Sequence, residues 1–322
     1  MINYPIKFEP ILQDKIWGGN KLASVLNKKS NSENTGESWE ISAVPGNISV
    51  VANGSAKGNN LLDLISTYKG GILGEANYNQ FGNDFPLLIK FIDARTDLSV
   101  QLHPNDDLAK ERHNSFGKTE MWYVMDADKG AKLNIGFKES LNQKQYLEAL
   151  NSGEILSILN FEEVNAGDAI FINTGKVHAI GAGVMLAEIQ QTSDITYRIY
   201  DWDRVDQEGN SRELHTELAL DAIDFEKKDD YKLTYEKQVN KASRVAKCKY
   251  FTTNHLLVED NTSRDHSSLD SFVIYMCTNG KAIISTTEKS VEIEKGETVL
   301  IPAINNKVLI NSDFCELLEV YI

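Results

Sequence analysis

The stretch at positions 97–103, DLSVQLH, carries side chains of the types that bind metal ions. Read as a β-strand, it turns its apolar side chains to one face and Ser99, Gln101 and His103 to the other. Pro104 would end the strand, because proline cannot donate to a strand ladder. A polar face of this kind is either one wall of a metal-binding pocket or a solvated strand face that ends at a turn.

A carboxylate on the next candidate strand bears on the choice between these two interpretations. In KTEMWYVMDA, which begins at Lys118, alternation places Glu120, Trp122 and Val124 on one face. A buried carboxylate costs a large free energy unless it is paired or bound to a cation. An inward Glu120 beside an inward His103 therefore predicts a metal site, whereas a solvent-facing Glu120 would have no such role.

A third candidate ligand, His178, ends a segment of two turns and a short strand, GDAIFINTGKVH. Gly167, Gly175 and His178 resemble the second motif of the cupin superfamily, G-x5-P-x-G-x2-H, with Asn173 in place of the proline. The Gln-Leu-His triplet that precedes Glu120 resembles the first cupin motif, with glutamine in the first ligand position. The resemblance implies a jelly-roll β-barrel that holds a metal.

The sequence also contains an internal repeat. VNAGDAIFIN at 164–173 is echoed by IEKGETVLIP at 293–302, an offset of 129 residues that aligns Gly167 with Gly296. Two cupin-like units are implied. The position that matches His178 is Lys307, and neither His-x-His nor Gln-x-His precedes it, so we expect the second unit to lack a metal.

These patterns predict a mainly β fold of two cupin (jelly-roll) barrels with inserted helices. Residues 1–235 would form the catalytic, metal-binding cupin domain with the inserted helices, and residues 236–322 a C-terminal cupin-like domain without a metal site. Apolar spacing and glycine breaks predict helices within 61–80, a helix pair within 141–160 and a helix from Leu214 to Phe225. The charged segment at 226–238 would be the linker.

A mostly apolar run, FPLLIKFIDA, is typical of a strand buried on both faces. Its basic residue, Lys90, is expected at the rim with its ammonium group in solvent. Cys248, Cys277 and Cys315 are odd in number and outside any CxxC pattern, which argues against a disulfide framework or a cysteine metal site. We expect them to be buried small apolar side chains.

The composition of the 322 residues excludes several classes of function. A net charge of −14 argues against a nucleic acid partner, so an anionic substrate needs a local basic cluster. No segment approaches the ~18 apolar residues of a membrane span, and the N-terminus lacks a basic stretch followed by an apolar one. We expect a soluble, cytoplasmic protein without a membrane partner, and the oligomeric state is left open.

Four segments taken in order, QLHPND, GKTEMWY, GKVHAIGAG and QTSDITYRIYDWDR, resemble the type I mannose-6-phosphate isomerase family in its short bacterial form. The resemblance spans essentially the whole chain, and GESWEIS near the N-terminus is similar as well. It implies an aldose–ketose isomerase with one Zn²⁺ per chain, which interconverts mannose 6-phosphate and fructose 6-phosphate.

The resemblance also implies roles for individual residues. The zinc ligands fall on Gln101, His103, Glu120 and His178, and the catalytic positions fall on Arg198, Lys118 and Asp194. Long family members carry a histidine immediately before the lysine, and this chain has Gly117 there. Any role of that histidine is therefore absent here or is filled by another residue.

The chemistry of such a site follows from its charges. Moving a proton between C1 and C2 of a sugar develops negative charge on oxygen in an enediol intermediate, which a Lewis acid and nearby cations stabilise. Lys118 and Arg198 would supply such cations, and either could hold the phosphate. The base is left open among Asp194, Lys118 and a zinc-bound water. We expect Asp203 and Arg204 to belong to a structural ion-pair turn.

Three alternatives remain open at this point. Two histidines and a carboxylate also form the ligand set of non-haem iron oxygenases, although Gln101 would occupy a position that dioxygen needs. A sugar-binding cupin without enzymatic activity is the second alternative. The third is a cupin isomerase for another sugar phosphate, because pocket geometry reads the orientation of each hydroxyl.

Overall fold

The computed structural model describes residues 2–205, 208–229 and 231–322, which form a mainly β protein. The strands of the N-terminal unit are β1 (Ile11–Gly19), β2 (Thr35–Ile41), β3 (Ala43–Val44), β4 (Asn47–Ile48), β5 (Leu87–Asp93), β6 (Val100–Leu102), β7 (Glu120–Ala127), β8 (Lys132–Phe137), β9 (Leu159–Glu163), β10 (Ala169–Ile172), β11 (His178–Ile180), β12 (Val184–Gln191) and β13 (Tyr197–Tyr200). Those of the C-terminal unit are β14 (Ala242–Lys247), β15 (Thr252–Asp265), β16 (Val273–Ser285), β17 (Ser290–Glu294), β18 (Thr298–Ile301) and β19 (Lys307–Tyr321).

The helices all lie in the N-terminal unit of the described chain. They are α1 (Lys21–Ser24), α2 (Leu61–Tyr68), α3 (Gly70–Leu73), α4 (Glu75–Phe81), α5 (Asp106–His113), α6 (Gln143–Asn151), α7 (Ile155–Ile158) and α8 (Thr216–Leu220), with a 3₁₀ turn at Gly54–Ala56. In the part of the chain that the structure describes, none of these helices has the length and apolar character that crossing a membrane requires.

The N-terminal unit is a sandwich of two antiparallel sheets. One sheet has the strand order β1-β2-β5-β12-β7-β10 and the other β13-β6-β11-β8-β9. Apolar side chains that include Trp122, Ile135 and Ile172 fill part of the space between them. The predicted mainly β class is therefore confirmed. The predicted barrels are not seen as closed sheets, because each sheet among the described residues has edge strands.

The C-terminal unit packs against the outer face of the sheet that contains β5, β7 and β12. A single apolar cluster joins Phe91 and Met121 of that sheet to Phe272, Ile274 and Leu318 of the C-terminal unit. The outer face is apolar and buried by this contact. Since successive side chains of a strand point to opposite faces, the polar side chains of the same strands lie on the inner face, between the two sheets. That inner face carries the candidate site.

Most of the predicted elements are confirmed. The apolar run at 85–94 forms β5, whose residues are all buried. The helices within 61–80 are α2, α3 and α4, and the pair within 141–160 is α6 and α7. Cys277 and Cys315 are buried free thiols, whereas Cys248 is only half-buried.

The helix predicted from Leu214 to Phe225 is wrong in extent, because only α8 forms there. Beyond it, the backbone N–H of Asp224 donates to the carbonyl oxygen of Gly175 at 2.8 Å, and Phe225 stacks on Phe137. These contacts outweigh the local helical pattern. Positions 206, 207 and 230, the last of which is in the predicted linker, lie outside the described residues.

The internal repeat corresponds to equivalent turns and strands in the two units. Gly167 and Gly296 have φ of +92° and +89°, a region that favours glycine, and each lies in the turn before a short strand. The first of these strands, β10, pairs with β7, and the second, β18, pairs with β16. The repeat is therefore confirmed in the structure as far as these strands extend.

Candidate active site

Three side chains from separate elements meet on the inner face of the N-terminal unit. His103 follows β6, Glu120 begins β7 and His178 begins β11. Their candidate ligand atoms all lie within 4.8 Å of one another, and each residue is no more than 1% exposed. The nearest oxygens of Glu120 lie 3.4 Å from His178 Nε2 and 3.6 Å from His103 Nε2.

Backbone carbonyls orient both imidazole rings. His103 Nδ1 lies 2.8 Å from the carbonyl oxygen of Ile195, and His178 Nδ1 lies 2.8 Å from that of Lys176. Since a carbonyl oxygen only accepts hydrogen bonds, each Nδ1 must carry the proton. In the neutral ring, the lone pair of each Nε2 then faces Glu120, which is the arrangement of a metal-binding histidine.

Burial keeps both rings neutral. It holds the pKa of His103 well below the usual range, with a further contribution from the charge of Lys118, and it lowers the pKa of His178 to about 4. Burial also raises the pKa of Glu120, and the nearby Glu188 carboxylate adds to this shift. Among the described residues, neither carboxylate oxygen of Glu120 accepts a hydrogen bond.

This donor set fits a divalent cation. The Glu120 carboxylate is buried between two neutral imidazoles, with Lys118 as its nearby cation and no well-formed hydrogen bond, and coordination of a metal ion would lower the cost of burying it. Gln101 is the fourth candidate ligand, and its side-chain Nε2 lies 3.5 Å from His178 Nε2. A flip of the Gln101 amide group would exchange its oxygen and nitrogen and would place the oxygen next to His178 Nε2.

Lys118 lies at the edge of this cluster. Its Nζ is 3.2 Å from His103 Nε2 and 3.3 Å from Glu120 Oε2, and the residue is 5% exposed. The adjacent Gly117 is required by close packing, because a Cβ atom there would lie 2.7 Å from the backbone nitrogen of Asp106. A histidine at position 117 would therefore be excluded unless this backbone moved.

Arg198 lies on the wall next to Gln101, because β13 and β6 pair with these two residues opposite each other. Its guanidinium donates to Ser99 Oγ at 3.3 Å and to the carbonyl oxygen of Glu213 at 2.9 Å. Burial lowers the pKa of Arg198, with a further contribution from the charge of Arg212. These contacts fix the orientation of the planar group.

Asp194 is exposed and lines the same cavity as Arg198. Asp194 precedes Arg198 by four residues, so it could orient the guanidinium through a bidentate pair, but the described structure does not contain this pair. Asp194 lies in the loop before β13, and no ion pair within 4 Å joins the two residues in the described structure. Ser99 and the Glu213 carbonyl hold the guanidinium in place of Asp194.

The turn after β13 contains the expected ion pair. Asp201 accepts from both Arg204 and Arg212, and Tyr200 donates to Asp203 at 3.1 Å. The pKa of Asp201 is lowered, because hydrogen bonds from the two arginines outweigh the effect of its burial. Arg204 therefore has a structural partner, as the sequence predicts.

Sequence reasoning missed a second charged cluster on the inner face. Lys90 is 5% exposed, so its expected place at the rim is wrong. Its Nζ lies 2.8 Å from Glu188 and 3.8 Å from Glu37, and these carboxylates also accept from Trp122 and Trp39. A charged residue within each of three buried strands, Glu37 in TGESWEI, Lys90 in LLIKFID and Glu188 in VMLAEIQQ, was the signal that could have found them.

The charges in this second cluster are stable near neutral pH. Burial alone would raise the pKa of Glu37, but Lys90 and Lys15 lower it to about 2. Burial alone would lower the pKa of Lys90, but Glu188 and Glu37 raise it above its usual range. Glu188 therefore stays ionised and holds the Trp122 indole through its N–H at 2.7 Å.

A cavity of about 410 Å³ opens over both clusters, within the size range of small-molecule sites. Its wall includes Gln101, Lys118 and His178 together with cations from several elements. The cationic side chains that line it are Lys15, Lys90, Lys118, Arg198 and Arg212. The local basic cluster that an anionic substrate needs is therefore present in a chain that is acidic overall.

Comparisons with known proteins agree with this geometry. Residues 6–146 match the family model of the type I phosphomannose isomerase catalytic domain, and residues 241–322 match that of the mannose-6-phosphate isomerase cupin domain. The chain is 41% identical over 219 residues to mannose-6-phosphate isomerase of Streptococcus mutans, covering 68% of this chain and 67% of the relative. It is 33% identical over 305 residues to mannose-6-phosphate isomerase ManA of Bacillus subtilis, covering 94% of both.

Solved structures show the same fold. The crystal structure of mannose 6-phosphate isomerase from Bacillus subtilis superposes with a TM-score of 0.90 at 30% identity and covers 99% of this chain and 100% of that one. A structure of a mannosephosphate isomerase described as putative, from Archaeoglobus fulgidus, has a TM-score of 0.81 at 22% identity, covering 99% and 97%. At that identity the second likeness concerns the fold alone.

Proposed function

Because the chain belongs to the type I phosphomannose isomerase family, we propose that it interconverts mannose 6-phosphate and fructose 6-phosphate in a zinc-dependent reaction. The observation that carries the proposal is the buried cluster of His103, Glu120 and His178, which lies under a cavity lined by cations. An enzyme of this class must bind an anionic sugar and stabilise negative charge on its oxygens, and the cavity is suited to both tasks.

We propose that His103, Glu120, His178 and Gln101 hold one Zn²⁺ per chain. A bound Zn²⁺ would polarise the sugar oxygens as a Lewis acid without redox side reactions. Two neutral histidines, a neutral glutamine and one ionised glutamate would leave the centre at about +1, which favours an enediolate. Gln101 also fills a position that an oxygenase would keep open, so the isomerase is the better supported reading.

The protein's own residues would share the stabilisation of charge. Lys118 reaches Glu120 and His103, so its ammonium group would face an oxygen that is bound near these ligands. Among the described cavity cations, Arg198 has no carboxylate partner within 4 Å, whereas Arg212 is paired with Asp201 and Lys90 with Glu188. We propose that Arg198 meets the substrate's negative charge.

The proton transfer between C1 and C2 needs a base near the sugar. Asp194 is exposed at the cavity and Lys118 is buried at its floor, so these two residues remain the candidates on the chain. Glu188 would have a different task, because Lys90 and Trp122 already occupy its oxygens. It would hold the cavity wall in place.

We also propose that the two units are cupin jelly rolls and that the protein acts in the cytoplasm on a small sugar phosphate. The match of residues 241–322 to a cupin domain supports the first point. The three free cysteines support a reducing compartment.

The test is to analyse the purified protein for metal and to measure fructose 6-phosphate formed from mannose 6-phosphate in a coupled assay. We expect activity to disappear when a chelator removes the metal and to return with Zn²⁺. Turnover by metal-free protein would refute the zinc dependence. If the zinc-loaded protein is inactive on mannose 6-phosphate but isomerises another aldose phosphate, the substrate assignment is wrong, and oxygen consumption would favour the oxygenase instead.

A further inference from the structure

Asp106, the first residue of α5, accepts hydrogen bonds from four groups in three separate parts of the chain. Its Oδ1 accepts from the backbone N–H of Gly117 and from Gln191 Nε2, both at 3.0 Å. Its Oδ2 accepts from the hydroxyl of Tyr250 and from Lys249 Nζ. Although partial burial opposes ionisation, these bonds hold the pKa of Asp106 at about 2, so it is a carboxylate at neutral pH.

This carboxylate connects two of the candidate ligand segments. Asp106 follows His103 by three residues, and Gly117 precedes Glu120 by three. Gln191 extends the connection, because its Oε1 accepts from the backbone N–H of Thr119 at 2.9 Å. Both ends of the 117–119 segment, which contains Lys118, are therefore fixed by hydrogen bonds that converge on Asp106.

Two of the four donors come from the C-terminal unit. Tyr250 and Lys249 lie between β14 and β15, more than 140 residues after Asp106. The side chain of Lys249 is 71% exposed, so its ion pair is screened by solvent and contributes little. The Tyr250 hydroxyl bond is partly buried and is the stronger connection.

We propose that Tyr250 is a positioning residue for the metal centre, acting through Asp106 on the segment that carries Lys118 and Glu120. The C-terminal unit then does more than pack against the N-terminal unit, because it fixes the end of β7 where the carboxylate ligand lies. This inference rests on the proposed function in one respect, because the groups that Tyr250 would position are the proposed zinc ligands and Lys118. Partners outside the ligand shell typically change metal affinity or activity by about 10- to 100-fold.

The test uses two conservative variants and a matched control. Tyr250→Phe removes one donor and keeps the ring, and Asp106→Asn leaves a single acceptor oxygen for four donors. Glu297→Gln is the control, because Glu297 also joins the two units, through Lys7 at 2.6 Å, and none of its side-chain contacts among the described residues reaches the 117–119 segment. Zinc affinity is measured by competition with a chromophoric chelator, and the visible spectrum of Co²⁺-loaded protein reports the ligand geometry.

We expect both Tyr250→Phe and Asp106→Asn to weaken zinc affinity about tenfold, to alter the Co²⁺ spectrum and to lower kcat with KM nearly unchanged. In the double variant, Tyr250→Phe should add little to Asp106→Asn, because both act on one path. Glu297→Gln should leave zinc affinity and the spectrum as in the wild type.

Wild-type zinc affinity, spectrum and kcat in a folded Tyr250→Phe protein would overturn the proposal. An equal loss of affinity in Glu297→Gln would also overturn it, because the effect would then be one of general stability. The zinc measurements need no substrate. A failure of the proposed isomerase activity would therefore appear as wild-type protein that binds zinc and does not turn over mannose 6-phosphate.

Discussion

The two units carry the same pattern of strand pairing around very different interiors. In the N-terminal unit Glu188 of β12 lies opposite Trp122 and Lys90. In the C-terminal unit Glu319 of β19 lies opposite Tyr275 and Asn254. Each glutamate accepts from the aromatic side chain beside it, at 2.7 Å from Trp122 and 3.0 Å from Tyr275.

The two interiors differ at the positions of the proposed metal ligands. Glu120 pairs with Ile172, and the equivalent pair in the C-terminal unit is Val273 with Ile301. His178 pairs with Gln101, and the inward-facing equivalent pair is Val308 with Arg264. Two of the proposed ligands are thus replaced by valine, and a third position holds an arginine.

The polar groups of the C-terminal interior are paired with one another. Arg264 donates twice to Glu319, at 2.8 and 2.9 Å, and Asn254 donates to it at 2.9 Å. His266 lies 2.8 Å from the Tyr275 hydroxyl. In the N-terminal interior, by contrast, Glu120 is left without a hydrogen bond. The same arrangement of strands can therefore hold either polar side chains that pair with one another or a set of candidate metal ligands. A few inward-facing residues determine which of the two is present.

The largest expected effect comes from breaking the ligand set. His178→Ala should lose bound zinc and isomerase activity together, because it removes one of the two neutral imidazoles. Metal analysis and the coupled assay test this. Val308→Ala is the matched change in the C-terminal unit and should keep both, at a cost of about 2 kcal/mol from lost apolar burial. Stoichiometric metal in His178→Ala would contradict the ligand assignment.

The next largest effect is expected from Arg198→Lys, which keeps the charge and loses the planar fork. Zinc should bind normally, KM should change by less than about tenfold, and kcat should fall by about 10²–10³, as for the loss of one preorganised donor in the transition state. Steady-state kinetics and metal analysis test this. An unchanged kcat with a raised KM would instead make Arg198 a phosphate anchor.

Arg264→Lys is the corresponding test in the C-terminal unit. It breaks the double contact to Glu319 and should lower the free energy of unfolding without changing kcat. If Arg198→Lys and Arg264→Lys both lowered the free energy of unfolding and left kcat unchanged, the two interiors would not differ in function.

Glu319→Gln should lower the free energy of unfolding by about 2 kcal/mol, because Arg264, whose side chain is 25% exposed, then loses its counter-charge while it stays partly buried. Burial alone would raise the pKa of Glu319, but hydrogen bonds and charge from Arg264 hold it below its usual range. Its contribution is therefore complete above the unfolded pKa of about 4.3 and is lost as the pH falls.

Denaturant unfolding of the wild type and Glu319→Gln between pH 7 and pH 3 checks this sign. The difference between the two proteins should be constant near neutral pH and should narrow below about pH 4. A difference that widens with acid would show that Glu319 is not a stabilising carboxylate. Zinc content at pH 7 should be equal in both proteins.

The smallest effect is expected from Lys307→Ala. The side chain is exposed, and the neighbouring Val308 takes the inward position. Turnover, zinc content and unfolding free energy should all stay near the wild-type values, since exposed substitutions usually change stability by less than about 0.5 kcal/mol. A loss of catalysis with normal stability would mean that this end of the C-terminal unit takes part in the site.

The sequence alone determined the strand alternation, the types of candidate ligand and the repeat. Alternation has a period of two residues, so the inward side of the strand that ends at His103 could be read from its own letters. The glycine turns before β10 and β18 were equally local, because glycine adopts the positive φ of Gly167 and Gly296 without the steric cost that other residues meet there. These are features that a few neighbouring residues determine.

Tertiary structure decided how distant segments meet. The loops after β10 and β18, at 173–177 and 302–306, are equal in length, so Lys307 aligns with His178 in sequence, but Lys307 is exposed and the buried, inward position falls on Val308. Successive side chains of a strand point to opposite faces, so the face on which Lys307 lies is known only once β19 is paired with β15. The linear repeat could not reveal it.

The pairing of charges within the second cluster was also decided by the tertiary structure. Lys90 is stable when buried only because Glu188, about 100 residues away, lies opposite it, and Glu37, about 50 residues away, reaches its Nζ at 3.8 Å from the neighbouring strand β2. A buried ammonium group without such partners would be too costly, so local reasoning assigned it to the rim. The four donors of Asp106 are likewise assembled from three separate parts of the chain, and only the folded arrangement of the two units brings Tyr250 to it.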